Sequence, residues 1–453
     1  MRIEISLRIT TGDAACADET VLVLDKPYDR LEAIGLSLEE GKTMLARVQE
    51  RIVAAQAGAF ADERRCCACD CSGTRTVSPL RELFTERIAP EMLYLQTRWA
   101  SLVSYGVTVA LLRDVLPVAR TLNPETVRDQ LHRVAERADA DLDDVPRRLA
   151  EGTPRDWAAL PPPEGEIVVG LDGGYVRGRE KRGEAGNFEV LVGRSMPEDR
   201  DSRSFGFVAT VDAEPRRRLQ ELLAEQGLQM NQEITFLTDG GDTVRAMAGE
   251  VAPFADHILD WFHITMRLTV LGQYVRGLAH HDEDGAGQLD WLLRRIKGLL
   301  WHGNLHEAVP SCADLVEMVL EIDSAYASLP ALRKAAAEFH GYIANNADAI
   351  PSYAERHRYG ERVSTSFVEA TVNVVLGKRF AKRQQMRWSR RGAHRLLQTR
   401  TRTLDGSLRS LFGRWYPDMA VDPEAETEAP LAAGPPQAFW YFQDMEGIAL
   451  EVR

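Results

Sequence analysis

Two short stretches near the start of the chain place apolar side chains at alternate positions or in a tight run. They are Arg2-Ile3-Glu4-Ile5-Ser6-Leu7-Arg8-Ile9 and Thr20-Val21-Leu22-Val23-Leu24, with a polar turn between them. Alternation at this period predicts strands. Over residues 31 to about 57 the spacing lengthens: Leu36, Leu38, Met44, Leu45, Val48 and Ile52 recur at the period of a helix. A second helix is predicted from Pro90 to about Leu116, with Met92, Leu93, Leu95, Trp99, Leu102 and Val103 as its apolar positions. Asn123-Pro124 then supplies an N-cap followed by proline at the first helical position, opening a helix to about Ala138.

After a linker ending in Pro161-Pro162-Pro163, the pattern changes to strands. Strands are expected at 166–171, 188–192 and 205–211, a helix at 214–226, a strand at 234–238, a helix opening at Gly241-Asp242, and a strand at 257–259. From 264 to about 347 the spacing is almost wholly helical, as in Trp291, Leu292, Ile296, Leu299 and Leu300. Helix is expected to resume near Ser366 and run on through a basic stretch, and a Pro-, Ala- and Glu-rich tail follows from 422 to 437.

The order βββαβαβ is that of a ribonuclease H-like α/β core: an antiparallel meander, then right-handed crossovers that lay later strands parallel to the first. The fold expected is that mixed sheet with a helical insertion, preceded by a mostly helical, DNA-binding N-terminal region. The segments expected are 1–77 (strands, helix and a cysteine cluster), 78–150 (helix-turn-helix-like), 151–165 (linker), 166–263 (first part of the core), 264–360 (helical insertion), 361–415 (catalytic and basic helix) and 416–453 (flexible tail).

Two apolar runs end alike. Glu166-Ile-Val-Val-Gly-Leu-Asp172-Gly-Gly and Ile234-Thr-Phe-Leu-Thr-Asp239-Gly-Gly each deliver a carboxylate followed by two glycines. In the expected topology the first and fourth strands are neighbours, so Asp172 and Asp239 meet. Two carboxylates at one point repel unless a cation or proton intervenes. Hard oxygen donors suit Mg²⁺ or Mn²⁺, and such ions drive in-line phosphoryl displacement. Glu369, on a helix after the insertion, is the candidate third acid; Asp242 reads better as a helix cap than as a ligand.

Charge sharpens this picture. The chain carries a net charge of −13, which argues against a protein that coats nucleic acid over its whole surface. Yet residues 370–404 hold no acid, while Lys378, Arg379, Lys382, Arg383, Arg387, Arg390, Arg391, Arg395, Arg400 and Arg402 are basic. This run, with Trp388, is the candidate grip on a nucleic-acid backbone. The helix after Asn123, with Arg128 and Arg133, is the candidate recognition helix of a helix-turn-helix, although paired helices are common in any helical domain. Of six cysteines, four fall at Cys66, Cys67, Cys69 and Cys71. Cys66 and Cys69 have the spacing of one zinc-binding pair but lack a distant second pair. No apolar run has the length of a membrane helix and no signal-peptide pattern opens the chain, so a soluble intracellular protein is expected.

Together, Leu171-Asp-Gly-Gly-Tyr-Val-Arg177, Leu237-Thr-Asp-Gly-Gly-Asp242, Asp260-Trp-Phe-His263, Phe367-Val-Glu-Ala-Thr-Val-Asn373, Lys378-Arg379 and Gln385-Met-Arg-Trp-Ser389 resemble a bacterial insertion-sequence transposase. The likeness is to the ISKra4 type of DDE transposase, related to the ISL3 and Mutator-like groups, over roughly residues 78–411. The resemblance implies an acidic triad of Asp172, Asp239 and Glu369 and a helical insertion before the third acid. It also implies metal-dependent cleavage at element ends with joining to target DNA, a homo-oligomer on paired ends, and a cytoplasmic, nucleoid-associated setting. Asp260 and His263 are similar to the Cys/Asp-x-x-His signature of that superfamily and are candidate accessory residues. The cysteines depart from the pattern: Cys71 runs almost directly into Ser78-Pro79-Leu80 where similar family members carry a fuller zinc ribbon. Alternatives are a degenerate or domesticated DNA-binding copy without catalysis, a ribonuclease H-like nuclease without strand transfer, and a helical scaffold with incidental acids.

Overall fold

A computed structural model describes the chain apart from residues 12–13, 16–18, 28–35, 64–87, 143–154, 156–158, 162–164, 180–185, 199, 213–214, 230, 242–244, 246–254, 365, 378, 381–386, 418 and 420–453, and apart from the side chains of 11, 14, 15, 60–63, 366, 367 and 369. The cysteine cluster with Cys66 and Cys69, Asp242, Lys378, Lys382, Arg383 and the expected tail therefore lie outside the described residues. The chain divides into two compact units, Met1–Val134 with Arg409–Pro423, and Ala135–Leu408. The division falls inside a helix, between Val134 and Ala135, and not in the expected linker at 151–165.

In the first unit, β1 (Arg2–Leu7) pairs antiparallel with β4 (Glu19–Asp25), and the short β2 (Thr10–Thr11) and β3 (Ala14–Ala15) close the turn between them. Helix α1 spans Leu38–Glu63, later than the helical spacing suggested. Its start is set by reciprocal bonds: Glu40 N–H donates to Ser37 Oγ at 3.3 Å and Ser37 N–H to Glu40 Oε2 at 2.7 Å, the capping box. The single helix expected over 90–116 is two, α2 (Pro90–Leu102) and α3 (Tyr105–Val115). Val103 is extended, and Ser104 restarts the helix by accepting from Val107 N–H at 3.3 Å. Helix α4 (Pro124–Asp141) opens as expected, with Asn123 Oδ1 accepting from Thr126 N–H at 2.9 Å. Its last residues belong to the second unit.

The second unit is a mixed α/β structure built on a five-stranded sheet. The strands are β5 (Ile167–Arg177), β6 (Asn187–Pro197), β7 (Arg203–Phe207), β8 (Ile234–Thr238) and β9 (Asp256–Leu259), in the order β7-β6-β5-β8-β9. β5, β6 and β7 are antiparallel neighbours, whereas β5, β8 and β9 run parallel. The expected strand order and the neighbouring first and fourth core strands are present. The helix expected between β8 and β9 falls on residues that are mostly outside the described set.

Alternation along β5 assigns each face its own core. Ile167, Val169 and Leu171 pack with Phe205, Phe207 and Phe236 against Leu219, Leu222 and Leu223 of α5 (Pro215–Glu225). Val168 points the other way, with Leu237, Ile258 and Leu259, into a helical core. That core belongs to α6 (Trp261–Leu278), α7 (Glu283–Trp301), α8 (Leu305–Glu321) and α9 (Leu329–Asn345), followed by α10 (Tyr353–Arg358). These helices fill the stretch from 264 to about 347 whose spacing reads as helical.

The helix expected from Ser366 through the basic stretch is interrupted. α11 covers only Ser366–Val372 and widens into a π turn at Asn373–Gly377. The chain then crosses to Trp388, which bridges to Gly178 beyond the end of β5. A separate helix, α12 (Arg390–Leu404), starts with Ser389 Oγ accepting from Gly392 N–H at 3.1 Å, and α13 (Leu408–Trp415), which from Arg409 on belongs to the first unit, is the last helix among the described residues. The break has a physical cause. Arg400 is buried and donates to the Val375 carbonyl at 2.6 Å and the Val374 carbonyl at 2.7 Å, satisfying acceptors that a widened helical turn leaves open.

Candidate active site

The site lies where the parallel strands end. The expectation that Asp172 closes its strand is corrected: β5 continues through Asp172-Gly173-Gly174 to Arg177, still paired with β6. It is β8 that stops. The last parallel pair is Leu171 with Thr238, so the register carries Asp172 alongside Asp239 just beyond it. The next strand repeats the arrangement. Thr238 pairs with Leu259, and Asp260 N–H donates to the Thr238 carbonyl at 2.8 Å. Three acids, Asp172, Asp239 and Asp260, thus stand in a row across three adjacent strands, Asp172 within β5 and the other two just past the ends of β8 and β9. The carboxyl edge of parallel strands is a recurrent ligand-binding position because no further strand covers it.

Each acid is held by its own local device. Asp172 Oδ1 accepts from Gly173 N–H at 2.7 Å, and Asp239 Oδ1 accepts from Gly241 N–H at 3.0 Å. Asp260 is fully buried and caps α6, accepting from Phe262 N–H at 2.8 Å. One turn into α6, His263 Nε2 lies 3.7 Å from Asp260 Oδ2 and is buried without a hydrogen-bond partner. Burial pushes the Asp172 carboxyl above the usual carboxylate range. The Asp239 and Asp260 charges push it the same way, while His263 and the Gly173 N–H pull it back. Ionised Asp172 is therefore short of positive charge.

Glu369 sits on α11, and that helix lies directly on the strand carrying Asp172. A Cβ at Gly174 would strike Leu376 and come within 3.4 Å of Val372 Cγ1, so glycine is what allows α11 to approach so closely. Arg194 of β6 ties the helix down, donating to Thr371 Oγ1 at 3.3 Å and sharing Ser202 Oγ through its Nε at 3.1 Å. By strand alternation Arg194 faces the same side as Gly170 and Asp172. Glu369's side chain is outside the described set, and among the described residues no three His, Cys, Asp or Glu side chains form a group able to hold a metal ion. The hard oxygens of Asp172 and Asp239 are the donors that could take Mg²⁺ or Mn²⁺ with further ligands from outside the pair.

The helical insertion also reaches the site, a contribution that has no local sequence signal. Tyr342 Oη donates to the Asp239 carbonyl at 3.0 Å, and Tyr353 Oη donates to the Leu259 carbonyl at 2.7 Å. Asn346 packs against Gly240, whose φ of +86° turns the chain after Asp239, and accepts from Arg245.

The described residues of the basic stretch do not form one cationic face. Arg379 and Trp388, both expected at a nucleic-acid surface, are buried, with the guanidinium carbon 5.1 Å from the indole ring centre. Trp388 extends β5, donating from its N–H to the Arg177 carbonyl at 2.9 Å and accepting from Arg179 N–H at 2.9 Å. Arg400 is buried too, Arg402 pairs with Glu221 at 3.0 Å, and Arg395 pairs with Glu136. Arg387, Arg390 and Arg391 are exposed as expected. In the first unit, Arg133 is exposed and Arg128 is paired with Asp129 at 2.9 Å.

No family model matches the chain, and no curated protein matches it. Among the described residues no helix is long and apolar enough to cross a membrane.

Proposed function

We propose that the chain is a DDE transposase of the ISKra4 type, cutting DNA at element ends and joining those ends to a target. The observation that carries this reading is the β5–β8 register, which sets Asp172 beside Asp239 on strands packed under the helix that bears Glu369. The strand order β7-β6-β5-β8-β9, with an antiparallel trio continued by two parallel strands, supports a ribonuclease H-like core.

Asp172, Asp239 and Glu369 would hold Mg²⁺ or Mn²⁺, and the donor set fits: hard oxygens, a carboxyl whose ionised form lacks compensating charge, and an unpartnered His263 Nε2 nearby. Such ions supply an activated water or 3′-hydroxyl and charge relief for the leaving oxygen in an in-line displacement. The chain's own residues do the rest. The β5–β8 register and the N–H groups of Gly173 and Gly241 fix two carboxylates. Burial of Asp260 under α6 dries the floor of the site. Exposed Arg387, Arg390 and Arg391 attract the phosphate backbone.

A nicking assay tests the reading, using DNA with the ends that flank the coding sequence and Mg²⁺, wild type beside Asp239→Asn. Nicks made by wild type and lost in the variant support both reaction class and site. Sequence-specific binding with no nick in either protein would instead favour a DNA-binding protein without catalysis, and nicks that never join a target plasmid would favour a nuclease.

A further inference from the structure

The geometry around Asp239 points to a subsite that the three acids do not include. Arg267 lies on α6, one turn beyond His263, and its guanidinium carbon sits 4.1 Å from the centre of the Tyr342 ring on α9. The residue is exposed, and no acidic partner is found for it among the described residues. This sets it apart from Arg395 and Arg402, which are paired with Glu136 and Glu221. Tyr342 is partly buried and its hydroxyl donates to the Asp239 carbonyl at 3.0 Å. The Tyr342 carbonyl in turn accepts from Asn346 Nδ2 at 2.8 Å, and Asn346 packs on the left-handed Gly240. Arg267 also hydrogen-bonds the Tyr342 side chain; a guanidinium has five N–H donors, so others are left for an anion while the ring and the bond fix its direction. Here that ring is fastened to the backbone of a site acid.

Resting on the transposase reading, we propose that Arg267 grips a phosphate of the DNA strand lying in the site, and that Tyr342 is a positioning residue linking that grip to Asp239. The helical insertion then completes the active site instead of only surrounding it. The chemistry called for is a phosphodiester: a planar guanidinium pairs with two phosphate oxygens at once. An isolated surface arginine would serve any anion, but this one rests on the ring whose hydroxyl bonds the Asp239 carbonyl, so the phosphate it takes belongs to a strand that has entered the site.

The test uses the full chain with Arg267→Ala, Arg267→Lys and Tyr342→Phe, each checked for wild-type melting. Two quantities are read: DNA affinity as a function of salt, and nicking rate as a function of Mn²⁺ concentration. Loss of one phosphate contact should lower the salt slope of Arg267→Ala by about one unit and weaken binding roughly tenfold. Arg267→Lys keeps the charge but not the flat stack, so it should restore the slope and recover only part of the nicking rate. Tyr342→Phe keeps the ring under Arg267, so affinity should change little, yet the Mn²⁺ needed for half-maximal nicking should rise by about three- to tenfold, the effect of losing the hydrogen bond to the Asp239 carbonyl. An unchanged salt slope in Arg267→Ala overturns the proposal, whether or not wild type nicks DNA. A wild type that nicks nothing while Arg267→Ala still loses one unit of slope removes the catalytic reading and leaves the Arg267 contact standing. Wild-type Mn²⁺ dependence in Tyr342→Phe overturns the positioning role.

Discussion

Gly174→Ala is the substitution that tests the packing of the site most directly. One methyl group would be added to β5 two residues beyond Asp172, on the face that α11 covers. It would fall roughly 1 Å or more inside the ~3.5–4.0 Å optimum for carbon contacts with Leu376, and within 3.4 Å of Val372 Cγ1. α11 cannot slide away freely. Thr371 is bonded to Arg194 at 3.3 Å and the carbonyls of Val374 and Val375 are bonded to Arg400 at 2.7 and 2.6 Å. Overpacking of this kind costs about 1–3 kcal/mol, and replacing a strand glycine returns about 0.5–1 kcal/mol through lower unfolded-state entropy. A net loss of about 1–2 kcal/mol corresponds to roughly 2–8 °C in the melting temperature of a unit this size. A shift of the Glu369 helix by as little as ~1 Å should cut nicking by up to about a hundredfold, with DNA affinity unchanged. Leu376→Ala alone should destabilise by about 2–5 kcal/mol, since the side chain is buried. In the double variant the overlap disappears, so its loss should fall short of the sum of the single losses by about 1 kcal/mol or more. Strictly additive melting losses, together with wild-type nicking by Gly174→Ala, would refute the close approach of β5 and α11 as the constraint on Glu369.

Two further outcomes are expected. Arg400→Met should lower thermal stability by about 2–4 kcal/mol, because two buried carbonyls lose a charged donor, yet leave the salt slope of DNA binding unchanged; an altered slope with wild-type melting would put Arg400 on the DNA instead. For Asp172 the folded-state pKa lies above the unfolded value of about 3.9. Its stabilising contribution is therefore present at low pH and lost as pH rises through the folded value. Metal-free Asp172→Asn should melt above wild type at pH 8, by a margin that disappears as pH falls to the unfolded value of about 3.9, and Mn²⁺ should raise the melting temperature of wild type only; a margin that persists unchanged down to that pH would count against the burial argument.

Much of the architecture follows from the chain's periodicity alone. Alternation predicted β1 and β4, the apolar runs predicted β5 and β8, and three- and four-residue spacing predicted the helical insertion, because each pattern reports which face of an element is dry. The adjacency of Asp172 and Asp239 was legible as well, since the handedness of crossovers leaves few ways to order these strands. Their neighbour Asp260 was legible only as part of a motif; that it extends the row became visible in the β8–β9 register. The local sequence around Val103 did not show that Ser104 would restart a helix, because a serine inside a helical pattern serves equally well as an exposed interior residue.

What tertiary structure alone decided is the fate of the charges. Ten basic residues without an acid read as one cationic face, but composition cannot say what packs on each. Arg379 and Arg400 went inside because a tryptophan ring and two open carbonyls were waiting for them. Arg395 and Arg402 were neutralised by Glu136 and Glu221, acids 259 and 181 residues away in the chain. Only Arg387, Arg390 and Arg391 of the described run remain at the surface. Tyr342 reached Asp239 across 103 residues for the same reason. Hydrophobic period is a local property and survives translation into structure, whereas the partner of a polar group is set by whichever distant segment the fold brings within about 3 Å of it.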